Sequence, residues 1–195
     1  MFLFHRPHEE QIRELLEGHR DHSFTYSNSG TIGHAVTPGY NFDHHRVRLG
    51  DGPAIFANGI EAIRRWEMFN MNWLKLCWPD VPIAAGSMVA VLAHHLGFWS
   101  LNLCRIARVI DEEQRYGFVY GTLADHAERG QEQFVVKWEK DDSVWYEIEA
   151  VSKPNQLLAR IGYPIARILQ KRFARDSMAA MVRAVKAGAS DPFQA

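Results

Sequence analysis

A two-residue alternation dominates residues 88–152. In VWYEIEAVS, Val144, Tyr146, Ile148 and Ala150 fall on one side, and Trp145, Glu147, Glu149 and Val151 on the other. That is the period of a strand with one face on a core. QEQFVVKW repeats it, with Glu132, Phe134, Val136 and Trp138 on one side and Gln131, Gln133 and Lys137 opposite. The pattern predicts strands over 88–95, 101–110, 115–122, 131–138 and 144–151. Tight hairpins at 111–114 and 140–142 join neighbours into an antiparallel meander. Upstream, His45, Val47 and Leu49 alternate with His44, Arg46 and Arg48, which predicts an edge strand ending at the Gly50 and Gly52 turn.

The period changes elsewhere. Ile12, Leu15 and Leu16 mark one side of a short helix over 8–18. Pro53 suits the first turn of a second helix, which carries Ile55, Phe56, Ile60, Ile63, Trp66 and Met68 to Met71 and is apolar nearly all round. Ile165, Ile168, Leu169, Phe173, Met181 and Val185 give a long helix from Pro164 to about Ala187. A short helical segment over 156–161 precedes it, and Gly162 and Pro164 force a break between the two. Residues 21–38 read as a polar loop with at most a short strand near 24–26. The expectation is one domain over 1–195, with 1–32 a poorly defined N-terminal extension and 188–195 a frayed tail.

Composition adds limits. A net charge of -1 argues against a nucleic-acid surface, and no run is long enough to cross a bilayer. The two cysteines, Cys77 and Cys104, make neither a disulfide scaffold nor a thiolate metal site. No secretory leader opens the chain, so a cytoplasmic location is expected. Residues 111–149 hold eleven acids and four bases, whereas 157–195 hold seven bases and two acids. The two regions are expected to attract each other within the domain, with a basic face reserved for a partner as the alternative. Arg160, Arg167, Lys171 and Arg175 form a basic stripe on the last helix.

Candidate chemistry is sparse. His44 and His45, and His94 and His95, are adjacent on strands, so one of each pair points inward. There is no HExxH or CxxC spacing, and neither a metal nor a cofactor is expected. Cys104 reads as a structural thiol. Glu132 is the most informative residue, because its alternation places a carboxylate among Phe134, Val136 and Trp138. Such a group needs a partner. Arg105 alternates with Leu101, Leu103, Ala107 and Val109, which predicts a buried pair with Glu132, bridged by Tyr120. Thr122 shares the Tyr120 face, Tyr146 lies on the inward face of the last strand, and His126 stands in the loop before Glu132. Trp66 and Trp73, with Phe69 and Trp78, form an aromatic run that suits either a packed core or one wall of an apolar pocket.

The order of strand, helix, several antiparallel strands and long C-terminal helix resembles the helix-grip, START-like arrangement, an α+β architecture in which a curved sheet wraps round the last helix. Particular motifs go further. They are PGYNFDHHRVRLGDG, then Trp99 with Asn102, Cys104 and Arg105, then YGTLADHAERGQEQF, and ARIGYPIARILQKRF. Together they resemble the domain of unknown function 1990 family, also described as UPF0548, over residues 33–184. The chain departs from the family pattern at Ala127 and Gln131, where a proline and a second acid are usual, and at IGHA, where VGAT is usual. The resemblance implies the fold and no activity.

Three functions fit these readings. The first is a module binding a small apolar or amphipathic ligand between sheet and last helix, through Arg105, Tyr120, Thr122, His126, Glu132, Trp66, Trp73 and Tyr146. The second is a hydrolase or isomerase built on the same cavity. The third is a protein-interaction module without a cavity, acting through the basic stripe. The sequence does not settle the oligomeric state.

Overall fold

The computed structural model describes residues 1–26, 32–33, 38–95, 97–124, 126, 128–154 and 163–189. Its elements are β1 (Phe2–Leu3), α1 (Glu9–Gly18), β2 (Asn41–Asp51), α2 (Gly52–Arg64), a 3-10 turn (Glu67–Phe69), β3 (Leu74–Leu76), β4 (Met88–His95), β5 (Phe98–Glu112), β6 (Arg115–Thr122), β7 (Glu128–Trp138), β8 (Ser143–Pro154) and α3 (Tyr163–Ala189). The expected helical segment at 156–161 and the tail from 190 onward lie outside the described residues.

The strands form one eight-stranded antiparallel sheet in the order β2-β8-β7-β6-β5-β4-β3, with β1 added against β5. The meander appears as the alternation predicts, and the edge strand β2 pairs with β8 rather than with a sequence neighbour. Phe134 and Val136 of β7, Tyr146 and Ile148 of β8 and Phe118 of β6 carry the apolar face, all almost fully buried. The C-terminal half of α3 closes that face with Met181 and Val185, and α2 adds Phe56 and Ile63. Gly59 lets α2 lie close, since a Cβ there would meet Val136 Cγ1 at 2.8 Å. Among the described residues, no helix is long and apolar enough to cross a membrane.

One local expectation changes. The helix after Pro53 ends at Arg64, and Trp66 takes a left-handed conformation at φ 58°. That turn rolls the indole into the core, where Trp66 Nε1 donates to the Val81 carbonyl at 2.9 Å. Residues 24–26 form no strand, although Thr25 N–H reaches the Thr122 carbonyl at 3.0 Å.

The N-terminal stretch contributes β1 and α1. Ile12, Leu15 and Leu16 of α1 pack on Leu92, Leu101 and Leu103, on the side of the sheet away from α3. The first half of β5 therefore carries its leucines on the outer face, beneath α1. A β-bulge between Ile106 and Arg108 then shifts the parity of the strand. Ser100, Asn102 and Cys104 face inward, and Leu101, Leu103 and Arg105 face outward.

Candidate functional site

Where the N-terminal half of α3 crosses the sheet, the two do not close. A cavity of about 420 Å³ remains between them. On the β3 to β5 side, Leu74, Val91, Ala93 and Phe98 are joined by Phe69, Trp73 and Phe173, with His95, Ser100 and Asn102 set among them. The β2 to β8 side is polar, with Asp43, His45, Tyr120, Thr122, Glu128 and Glu132 facing Arg167 and Gln170 of α3.

Strand pairing sets the centre of the polar side. Tyr120 and Glu132 are direct cross-strand partners, so both side chains leave the sheet on the same face. The Tyr120 hydroxyl donates to Glu132 Oε2 at 2.7 Å. Burial pushes the Glu132 carboxyl up to about 7, the tyrosine hydrogen bond acts the other way, and the charges of Glu128 and Asp43 raise it further. Burial also holds the Tyr120 hydroxyl well above its ordinary value. Glu132 keeps part of its surface towards the cavity while protein surrounds it at depth.

Flanking groups are tightly held. Arg167 makes a two-pronged bond to Asp43, with Nη1 to Oδ2 at 2.5 Å and Nη2 to Oδ1 at 2.6 Å. This pair lowers the Asp43 carboxyl and ties α3 to the edge strand. Burial raises the Glu128 carboxyl, which accepts from the Gln170 amide. Thr122 Oγ1 contacts Thr25 Oγ1 at 2.5 Å and accepts from Gly130 N–H at 3.0 Å. Gly130 has φ 150°, and a Cβ there would meet the Val151 carbonyl at 1.8 Å, so only glycine fits this start of β7. Burial depresses His126 to about 3, and its Nδ1 accepts from the Glu128 N–H at 3.0 Å. This imidazole is neutral at physiological pH. His95 Nε2 lies 3.1 Å from Ser100 Oγ, and its Nδ1 is buried with no hydrogen-bond partner among the described residues.

The cavity thus brings together Trp73, Tyr120, Thr122, His126 and Glu132 from the sequence candidates. Three others stand elsewhere. Arg105 lies on the outer face, its guanidinium 4.6 Å from the Phe24 ring centroid and 2.7 Å from the Arg20 carbonyl. The expected Glu132–Arg105 pair does not exist, because the apolar outer face and the bulge invert the apparent alternation of β5. Trp66 is core, for the reason given above. Tyr146 is fully buried beneath α3, its hydroxyl 3.0 Å from Ser177 Oγ. Arg105→Met is expected to cost about 1 kcal/mol or less, and its effect should add to that of Glu132→Gln within about 0.5 kcal/mol. Urea unfolding of the two single variants and the double variant measures both.

Asp43, Glu128 and Gln170 had no sequence signal as site residues, and Arg167 stands out in the sequence only as part of the basic stripe. Asp43 and Arg167 are 124 positions apart, and Glu128 sits where a loop is expected. Of the basic stripe, Arg160 is outside the described residues, Arg167 and Lys171 line the cavity, and Arg175 pairs with Asp176. His45 and His95 are the inward members of their pairs. On the opposite face of the sheet, His44, Glu147 and Glu149 bring ligand atoms within 4.8 Å of one another. Arg46, 3.7 Å from Glu147, already supplies a cation there. Cys77 and Cys104 are buried and do not pair.

A family model described as Domain of unknown function (DUF1990) matches residues 25–180. The chain belongs to that family. A UPF0548 protein of Dictyostelium discoideum is 34% identical over 95% of this chain and 96% of its own length. A UPF0548 protein of Deinococcus radiodurans is 30% identical over 94% of this chain and 98% of its own. Among solved structures, a hypothetical protein from Helicobacter pylori superposes with a TM-score of 0.52, at 9% identity, over 83% of this chain and 95% of that one. The Zhui aromatase/cyclase from Streptomyces sp. R1128 does so with a TM-score of 0.50, at 11% identity, over 75% of this chain and 94% of that one. At these identities the likeness concerns the fold. This DUF1990 chain has the helix-grip, START-like architecture, a curved antiparallel sheet packed against a long C-terminal helix.

Proposed function

We propose that this DUF1990 protein binds a small molecule with an apolar body and one polar end in the space between the sheet and α3. The observation that carries the reading is the cavity of about 420 Å³, lined by Leu74, Val91, Ala93 and Phe98 towards β3 to β5 and polar around Glu132. Its size falls within the roughly 300–1,000 Å³ of small-molecule sites, and a few polar groups on apolar walls are what orient such ligands. Two buried cysteines that do not pair support a reducing, cytoplasmic setting. A neutral dye, N-phenylnaphthylamine, should enter with a saturable blue-shifted emission at one dye per chain. Ala150 lines the cavity, and Ala150→Phe, checked for unchanged cooperative unfolding, should block that uptake. No saturable uptake by the parent chain, or equal uptake by the variant, would remove the reading.

A second reading, an enzyme on the same cavity, is favoured by one feature. A carboxyl raised to about 7 beside a tyrosine hydroxyl is poised to exchange a proton near neutral pH.

A further inference from the structure

We infer that the polar end of the cavity is built for an organic ammonium group, so that the occupant is an amphipathic amine whose nitrogen sits against Glu132 and whose apolar body lies towards Trp73. This rests on the small-molecule reading of the cavity and names the class of ligand.

The argument is one of charge and rings. Three carboxylates line the cavity, Asp43, Glu128 and Glu132. Asp43 is neutralised by Arg167 through two hydrogen bonds. Glu128 is held by the Gln170 amide, which brings no charge. Glu132 has the Tyr120 hydroxyl on Oε2, and Oε1 has no hydrogen-bond partner among the described residues. Among the described residues no cationic side chain acts on its carboxyl. A buried carboxylate without a cation is costly, and a ligand cation relieves that cost where the protein does not. The walls also suit a cation. Tyr120, Phe69 and Phe173 present rings to the same space, and aromatic faces attract ammonium groups. An anionic ligand would meet Glu132 with no cation beside it, and Glu128 with only the Arg167 charge, already paired with Asp43, acting on it. Of the bases lining the cavity, Arg167 is paired, Lys171 is exposed, burial pushes His126 and His95 below the ordinary imidazole value, and the charge of His45 acts on Asp43.

Protonation gives the inference a signature. Tyr120, Cys104, Asp43, Glu128 and Tyr146 act on Glu132 electrostatically from the strands around it, and His45, His95, His126, Arg167 and Lys171 share its cavity. In the free protein the Glu132 carboxyl titrates at about 7. An ammonium ligand binds the ionised form, so its affinity should rise by about tenfold from pH 6 to pH 8 as that form fills. A neutral ligand gains nothing from this ionisation.

The experiment is calorimetric titration of the full chain with naphthylethylammonium, naphthylethanol and naphthylacetate at pH 6 and pH 8. The expected result at pH 8 is an ammonium at least tenfold tighter than the alcohol, with the carboxylate weakest. At pH 6 the preference should shrink by about tenfold. In Glu132→Gln the ammonium and the alcohol should come within threefold of each other. Alcohol binding as tight as ammonium binding at pH 8, or tightest binding of the carboxylate, would overturn the ammonium assignment and leave the cavity reading standing. Absence of binding by all three, with no dye uptake, would overturn both. The pH dependence of the parent chain needs no variant, so a misfolded Glu132→Gln leaves the test intact.

Discussion

Phe134→Ala should lower the stability of this DUF1990 protein by about 3–5 kcal/mol. Phe134 is fully buried. Its ring lies 5.3 Å from Phe118, 5.4 Å from Tyr120, 5.6 Å from Phe69 and 6.2 Å from Phe173, centroid to centroid. One side chain on β7 thus joins β6, the 3-10 turn and α3. Truncation removes the transfer free energy of the ring and leaves a hole that a sheet cannot close, because the backbone of β7 is paired on both sides. Phe69, Tyr120 and Phe173 also line the cavity, so the hole would adjoin the existing space. A domain of this size has about 5–15 kcal/mol in total. The variant should therefore unfold at a markedly lower urea concentration with an unchanged slope. A loss below about 1 kcal/mol would be that of an exposed position. It would mean that the sheet and α3 are not clamped through this ring. Phe134→Leu should recover more than half of the loss, since it keeps most of the apolar volume.

The same residue shows what sequence reading captures. Phe134 lies in a run where apolar and polar positions alternate, because β7 and β8 put one face on the core and leave much of the other to polar groups. Inward placement of Glu132 follows from that alternation, and the β6–β7 register puts Tyr120 opposite it. The partner assigned to Glu132 did not follow. Leu101 and Leu103 mark an apolar face of β5, but α1 covers that face from outside, and period alone does not tell which of two covered faces is inward. The bulge after Ile106 removes the remaining cue. Trp66 illustrates a different gap. Its aromatic character suits a core as well as a pocket wall, and a left-handed turn at a non-glycine residue decides for the core. The Asp43–Arg167 clamp was out of reach for a third reason. It joins an edge strand to a helix across the whole meander, and each residue alone reads as a solvated charge.

Glu132→Gln should be more stable than the parent chain above pH 7 and equal to it near pH 4. The carboxyl has an ordinary value of 4.5 and titrates at about 7 in the fold, because burial disfavours its charge. The folded state therefore holds the proton more tightly than the unfolded chain does. Stability is full below 4.5, falls as pH rises towards 7, and stays low above it. The interval from 4.5 to about 7 corresponds to roughly 3 kcal/mol. That figure is an upper bound, because the carboxyl keeps some contact with the cavity. Glutamine has no proton to lose and can still accept from the Tyr120 hydroxyl, so the variant avoids this loss. His126 acts with the opposite sign. Burial depresses it from 6.5 to about 3, so its contribution is full above 6.5 and is lost as pH falls through about 3. Between pH 4.5 and 6.5 the two slopes oppose each other in the parent chain and flatten its stability. Glu132→Gln removes one opposing slope and leaves that of Glu128, whose carboxyl burial also raises, so stability should climb more across that window than it does in the parent chain. Urea midpoints for both proteins at pH 4.5, 6.5 and 8 test this directly. Parallel curves, or a variant less stable than the parent at pH 8, would show that the ionised carboxylate is compensated in the fold, and a ligand ammonium would then have no charge left to relieve.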